Sequence, residues 1–376
     1  MIIAIPKERQ DGETRVAASP ETVKKLKGLG LDVVVETGAG ETARIPDAEF
    51  EAAGATIAPD AASALKDADI ICKVRAPSLD EIAQYKGSAI LAALLSPATE
   101  KETIAKLAEA GINAFAMEFL PRISRAQAMD VLSSQANLAG YKAVVDAVAV
   151  FGRAIPMMMT AAGTIAPARV LVMGAGVAGL QAIATARRIG AIVSATDVRP
   201  ATKEQVESLG ATFVAVMDEE FEQAQTAAGY AKEMSKEYQA KQAELIAATI
   251  KKQDIVITTA LIPGRKAPVL VTEEMLKTMR PGSVIVDLAA GQGGNCPLSK
   301  ADEVIEAHGV ILMGYTNFPG RLAADASSLY ARNLFNFVSL FVDKESGEAK
   351  LDWDDEIIKG AGLTRDGAII HPALKG

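Results

Sequence analysis

The chain has 376 residues, 49% of them hydrophobic and 23% charged, which is enough apolar material for two cores and so for two domains. Its net charge of -8 comes without any block of lysine or arginine, so long-range electrostatics repel nucleic acid and anionic lipid, and neither is expected as a partner. Cys72, Cys296, His308 and His371 stand far apart, form neither a disulfide framework nor a metal-ligand spacing, and point to no metal and a reducing cytoplasm.

The opening "MIIAIPKERQ" carries charge by residue 7, too early for the apolar segment of a signal peptide. Short apolar runs then alternate with amphipathic helical patterns: "IIAIP", "SPETVKKLKGLG", "DVVVETG", "DAEFEAAG", "ATIAP", and so on to "INAFAM". Strands apolar throughout, separated by helices, are the pattern of a parallel sheet covered on both faces. The expected fold class is therefore α/β, with two Rossmann-like doubly wound parallel-sheet domains. Residues 1–126 form the first, and the closing segment 342–376 is expected to return to it.

Next comes "FLPRISRAQAMDVLSSQANLAGY", residues 119–141, which leads into a helical pattern over about 127–152. Met157, Met158 and Met159 follow it, and methionine of this kind fills irregular gaps in a core or an interface. One domain would cover this uncharged connector poorly, so a second copy of the chain is expected to pack on it as a homodimer.

A second βα series, residues 153–325, begins at "RVLVMG" and ends near "VILMGY", and a second connecting helix over about 326–341 leaves it. Ligands are expected in the cleft between two such domains. Within this series, residues 170–186 are uncharged over 17 positions and superficially resemble a membrane span. Their three glycines argue instead for a strand turning tightly into a helix, with no direct membrane insertion.

Those glycines, Gly174, Gly176 and Gly179, form G-x-G-x-x-G. The first permits a tight turn, the second admits a pyrophosphate close to the backbone, and the third lets helix and strand pack closely. The next strand ends in Asp197, where a carboxylate accepts hydrogen bonds from an adenosine ribose and repels a 2'-phosphate. NAD(H) is thus expected over NADP(H), although Arg199 offers charge to a phosphate. Val177 is expected to cover the pyrophosphate and Val198 to pack on adenine. Leu261 follows "DIVITTA" at the carboxyl edge of the sheet, where either a dinucleotide or ordinary packing accounts for it. The long insertion 217–253, with small residues around Gly229 and Tyr230, suits a loop that closes over ligand, the alternative being a polar surface helix.

In the 119–141 stretch, Arg122, Ser124 and Arg125 follow a proline, and Gln127, Asp130 and Ser133 continue at spacings near one helical turn. Arginine, glutamine, serine and one aspartate can orient the amide, hydroxyls and phosphates of a dinucleotide without exchanging a proton. A salt-bridged helix start accounts for the same spacing equally well.

Taken together, "IPKERQDGETRVAASP", "MEFLPRISRAQAMDVLSSQANLAGYKAV", "PMMMTAAGTIAPARVLVMGAGVAGLQAIATA", "GYAKEMS" and "TTALIPGRKAPVLVTEEML" closely resemble the NAD(H)-binding component, domain I or the alpha-1 subunit, of proton-translocating NAD(P) transhydrogenase. The resemblance covers nearly the whole chain, and its ending at Gly376 looks like the split-subunit form of the family. It implies a dimer, peripheral on the cytoplasmic face of the inner membrane, docked on a membrane-spanning component and on a separate NADP(H)-binding component. The implied reaction is Si/Re-specific hydride transfer from NADH to NADP+ coupled to proton translocation, active only in the complex.

By the same resemblance, Arg122 and Asp130 hold the nicotinamide end of NAD(H), with Ser133 beside them, and Gln127 reaches toward the partner's NADP(H). The family's mobile loop maps to Gly229, Tyr230 and Met234, with Gln242 near its far end. A hydride passing between two nicotinamides requires no acid or base, only rings held at about 3 to 3.5 Å in a water-poor cleft.

Alanine dehydrogenase shares much of this pattern, including Arg15 and Lys73, which in that family bind substrate. Amine oxidation needs a proton acceptor, yet that family's histidine falls on Leu94 and its catalytic aspartate on Gly291. A third reading, a non-catalytic NAD-sensing module, leaves a polar loop aimed at a second nucleotide without a purpose.

Overall fold

A computed structural model describes residues 1–224, 234–262 and 264–374. The chain divides into two compact units, Met1–Gln135 with Pro319–Gly376, and Ala136–Phe318.

In the first unit, strands β1 (Ile2–Ile5), β2 (Asp32–Glu36), β3 (Thr56–Ala58), β4 (Ile70–Arg75), β5 (Ile90–Leu94) and β6 (Asn113–Ala116) form a sheet of order β3-β2-β1-β4-β5-β6 with every pairing parallel. The strands read as continuous apolar runs because helices cover both faces: Ile70, Ile71, Cys72, Lys73 and Val74 are all buried. One face is closed by the helix Ala323–Val338, whose Tyr330, Leu334 and Phe337 are buried at helical spacing. Phe115 of β6 lies 5.3 Å from Phe337 and 5.5 Å from Trp353, centroid to centroid. The closing segment returns to the same sheet, where the Leu363 N–H donates to the Ala114 carbonyl at 2.8 Å.

The second unit carries a short antiparallel hairpin, β7 (Met158–Thr160) with β8 (Gly163–Ile165), ahead of its main sheet. That sheet contains β9 (Arg169–Met173), β10 (Ile192–Thr196), β11 (Thr212–Phe213), β12 (Ile255–Thr258), β13 (Val284–Asp287), β14 (Val304–Ala307) and β15 (Val310–Met313), in the order β11-β10-β9-β12-β13-β15-β14. All its pairings are parallel except that of the antiparallel edge strand β14. In both large sheets the chain order reverses around the first strand, β1 or β9, which creates a crevice at the carboxyl ends of the strands.

The uncharged run at 170–186 is spent on β9 and the helix Val177–Arg188. Among the described residues no helix is long and apolar enough to cross a membrane.

Two expectations differ from the structure, and a third is narrowed by it. The helix Ala323–Val338 is not a free connector but belongs to the first unit, because its apolar stripe closes that core. The second unit accordingly ends at Phe318 rather than 325, and it begins within the helix Val131–Val150, at Ala136. Of the two places expected for Met157, Met158 and Met159, a core or an interface, the structure excludes the core. They are 60%, 41% and 79% exposed and run into the hairpin β7–β8, in which every residue is exposed.

Candidate functional site

In the second unit the glycine turn leaves β9 at the point where strand order reverses, flanked by β10 and β12. The Gly174 N–H donates to the Thr196 carbonyl at 2.8 Å and the Thr259 N–H to the Met173 carbonyl at 2.9 Å. Gly174 has φ +107°, which side-chain-bearing residues rarely adopt, and a Cβ there would lie 2.4 Å from the Thr259 hydroxyl. A Cβ on Gly179 would lie 1.8 Å from the Gly174 carbonyl oxygen, so only glycine lets the helix pack this close to the turn. Gly176 is the opposite case: nothing stands within 4 Å of where its Cβ would be, and space is open on that side. Gly176 is also the N-cap of the helix Val177–Arg188 and provides no capping side chain, so first-turn N–H groups are left for an anion.

Asp197 follows β10 and reaches back to this turn. Its Oδ2 accepts the Ala175 N–H at 2.7 Å and Arg199 Nη2 at 2.9 Å, while Oδ1 accepts the Arg199 N–H and Nε, both at 2.9 Å. Burial raises the carboxyl pKa, but the Arg199 and Ala175 hydrogen bonds outweigh that and hold it below the usual range. Four donors on two oxygens occupy its acceptor positions, so hydroxyls of an incoming ribose compete with the Arg199 guanidinium. Around this turn Val177, Val198 and Leu261 are 41%, 60% and 48% exposed. Gln242 has its amide committed: Oε1 accepts the Val216 N–H at 2.8 Å and Nε2 donates to the Thr196 hydroxyl at 3.3 Å. Gly229 and Tyr230 lie outside the described residues, whereas Met234, just past them, accepts from Gln239 Nε2 at 2.8 Å through its carbonyl.

In the first unit the stretch after β6 passes through Pro121 into a 3-10 helix, Ser124–Met129, before the helix Val131–Val150. Three residues per turn bring Ser124 and Gln127 onto one edge. Asp130 sits at the junction and caps the long helix: Oδ1 accepts the Ser133 N–H at 2.9 Å and Oδ2 its hydroxyl at 2.6 Å. Arg125 is tied to Asp355, Nη1 to Oδ2 at 2.7 Å and Nη2 to Oδ1 at 2.8 Å. Arg122 and Gln127 are exposed, and neither side chain has a partner among the described residues. The two readings of this stretch are therefore divided among its members: Arg125, Asp130 and Ser133 make the salt-bridged, capped helix start, and Arg122 and Gln127 are left free.

Arg15 and Lys73, also in the first unit, are 3% and 1% exposed and already engaged. Arg15 donates through Nε and Nη2 to Glu13 at 2.7 Å each and through Nη1 to Gln135 at 2.8 Å. Lys73 Nζ lies 2.9 Å from Glu81 and 3.4 Å from Glu8. The sequence assigns Thr259 no role, although it lies within "DIVITTA"; it directly follows β12, and its hydroxyl donates to the Gly174 carbonyl at 3.1 Å.

The family profile "Alanine dehydrogenase/PNT, N-terminal domain" matches residues 4–139, and "Alanine dehydrogenase/PNT, C-terminal domain" matches residues 143–372. The chain belongs to the alanine dehydrogenase/PNT family. Within it, the first of the chains that make up NAD(P) transhydrogenase subunit alpha in Rhodospirillum rubrum is 58% identical over 100% of this chain and 99% of its own length. A crystal structure of transhydrogenase from Sinorhizobium meliloti superposes with a TM-score of 0.90 at 56% identity, covering 98% of this chain and 100% of that one. Alanine dehydrogenase of Halomonas elongata is more distant, 30% identical over 100% of this chain and 96% of its own. The transhydrogenase branch of the alanine dehydrogenase/PNT family is thus the nearer one to this sequence.

Proposed function

We propose that this chain is the NAD(H)-binding component of a proton-translocating transhydrogenase. The observation that carries the reading is the open approach at Gly176, at an uncapped helix start and beside the buried Asp197 carboxylate. First-turn N–H groups hold the pyrophosphate, Asp197 takes the adenosine ribose once Arg199 lets go, and Val177, Val198 and Leu261 cover apolar parts of the dinucleotide. When bound, NADH supplies the hydride. Arg122 orients the nicotinamide end, and Gln127 is directed toward NADP(H) on a partner subunit. Asp130 and Ser133 act by fixing the start of the long helix that follows these two residues.

Identity of 58% to a transhydrogenase subunit, against 30% to an alanine dehydrogenase, supports this choice over amino-acid oxidation. So does the chemistry. Leu94 and Gly291 stand where the rival needs a histidine and an aspartate, and Arg15 and Lys73 are neutralised by buried glutamates. The word "subunit" in the relatives' names supports action within a complex, of which we propose a membrane-spanning component and an NADP(H)-binding component as members, on the cytoplasmic face of the membrane. A second copy of this chain is proposed to cover the hairpin β7–β8, since exposed methionines on a two-stranded ribbon neither stabilise it nor suit water.

Titration of the purified chain with NADH and NADPH tests the first step. NADH binds far more tightly than NADPH, and neither alanine with NAD+ nor pyruvate with ammonia and NADH is turned over. Alanine oxidation by the isolated chain would overturn the proposal.

A further inference from the structure

Asn295 is fully buried in the second unit, and its amide is spent on two points of one loop. Oδ1 accepts the Ala260 N–H at 3.1 Å, while Nδ2 donates to the Ala260 carbonyl at 2.9 Å and to the Pro268 carbonyl at 2.8 Å. Its own carbonyl accepts the N–H groups of Leu270 and Val271 at 2.8 and 3.0 Å. Strand β12 ends at Thr258, so the sheet offers nothing to the Ala260 peptide, and Asn295 supplies both of its partners.

A carboxamide of this length is the group that fits. It accepts from one peptide, donates back to the same residue and has a second hydrogen for another carbonyl. Aspartate lacks the donors, serine has a single hydrogen, and glutamine is one methylene too long for the same space.

Ala260 lies between two features of the candidate site. On one side is Thr259, bonded to Met173 and Gly174 at the start of the glycine turn. On the other are Leu261 and Ile262, apolar and 48% and 43% exposed. We infer that Asn295 is a positioning residue for the dinucleotide: it fixes the backbone at Ala260, and with it the direction in which Leu261 leaves the carboxyl edge of the sheet. The inference rests on the NAD(H) reading and adds to it a residue that never touches the ligand.

The test compares the full chain with its N295D and N295S variants by titration with NADH at about pH 8 and about pH 5.5, with urea unfolding of each alongside. N295D sets a carboxylate oxygen against two carbonyls. It should bind NADH about tenfold more weakly at the higher pH and recover part of that loss at the lower, where a protonated carboxyl donates again. N295S should be weakened at both pH values, and the unsubstituted chain should change little between them. Among the described residues, titratable groups close to this point include Asp287, which accepts the Cys296 N–H, Cys296 itself, and Lys266 alongside Gly293. All three proteins share them, so the pH response specific to N295D reports residue 295. Should N295D fail to fold, N295S carries the comparison. Variants that unfold at lower urea yet bind NADH as tightly as the parent would overturn the inference and leave Asn295 a purely structural residue. Failure of the parent itself to bind NADH would overturn the NAD(H) reading beneath it.

Discussion

At the scale of single residues, the candidate site separates side chains that hold the protein from those left to hold a ligand. Gln127 is the sharper example: it is exposed, its side chain has no partner among the described residues, and it sits one 3-10 turn from Ser124. Gln127→Asn shortens its reach by one methylene. It should slow hydride exchange with NADP(H) in the complex while leaving NADH affinity nearly unchanged; equal losses in rate and affinity would remove the partner-facing role. Arg199 is the opposite case, a guanidinium occupying the carboxylate that a ribose would use. Arg199→Met frees Asp197, so NADH should bind several-fold more tightly and the preference over NADPH should widen. Unchanged affinities for both nucleotides in a paired titration would show that the guanidinium does not compete.

At the scale of elements, the hairpin β7–β8 stands out because it buries nothing of its own. Met159, 79% exposed, is the most accessible of its large apolar residues, and Met159→Lys should shift the proposed dimer toward monomer in sedimentation velocity while leaving the unfolding of each unit cooperative. An unchanged sedimentation coefficient would contradict the proposed dimer contact at this hairpin.

Elements are also where sequence reading works best and fails most instructively. The strands and the glycine turn are legible because their signals are local: apolar runs, and three glycines spaced within six positions, even though the neighbour that crowds Gly174, Thr259, is distant in sequence. The ion pair of Arg125 with Asp355 is not legible, since its members are 230 positions apart and either residue alone reads as an ordinary surface charge. The same applies to Arg15 with Gln135, separated by 120 positions, and to Asn295 with Ala260, separated by 35. Between core and interface for Met157, Met158 and Met159 the sequence does not choose, because composition gives apolarity but not whether a single chain has the surface to cover it; their exposure excludes the core.

At the scale of the whole molecule, stability and reaction depend on different charged groups. Glu13 is buried, and burial raises its pKa, but Arg15 and Arg75 outweigh this and hold the carboxyl at about 2. A carboxylate depressed in the folded state adds stability that is full above its unfolded value, near 4.5, and is lost as pH falls toward about 2. Glu8 works in the other sense: burial raises it, outweighing Lys73, so the stability it withholds at neutral pH returns as pH falls. Glu13→Gln should therefore cost on the order of 3 kcal/mol at neutral pH and flatten the acid limb of the urea midpoint against pH. An acid limb identical to that of the parent would mean that other carboxylates set it.

The reaction proposed for this chain makes no use of these buried carboxylates, because a hydride passing directly between two nicotinamides leaves no proton to be managed. That claim is tested most directly by following deuterium placed at the transferring C4 position of NADH, in the complex assembled with the NADP(H)-binding and membrane components. The account predicts that the label arrives in NADPH undiluted by solvent hydrogen. Appearance of the label in water, or of solvent hydrogen at C4 of the NADPH formed, would contradict it.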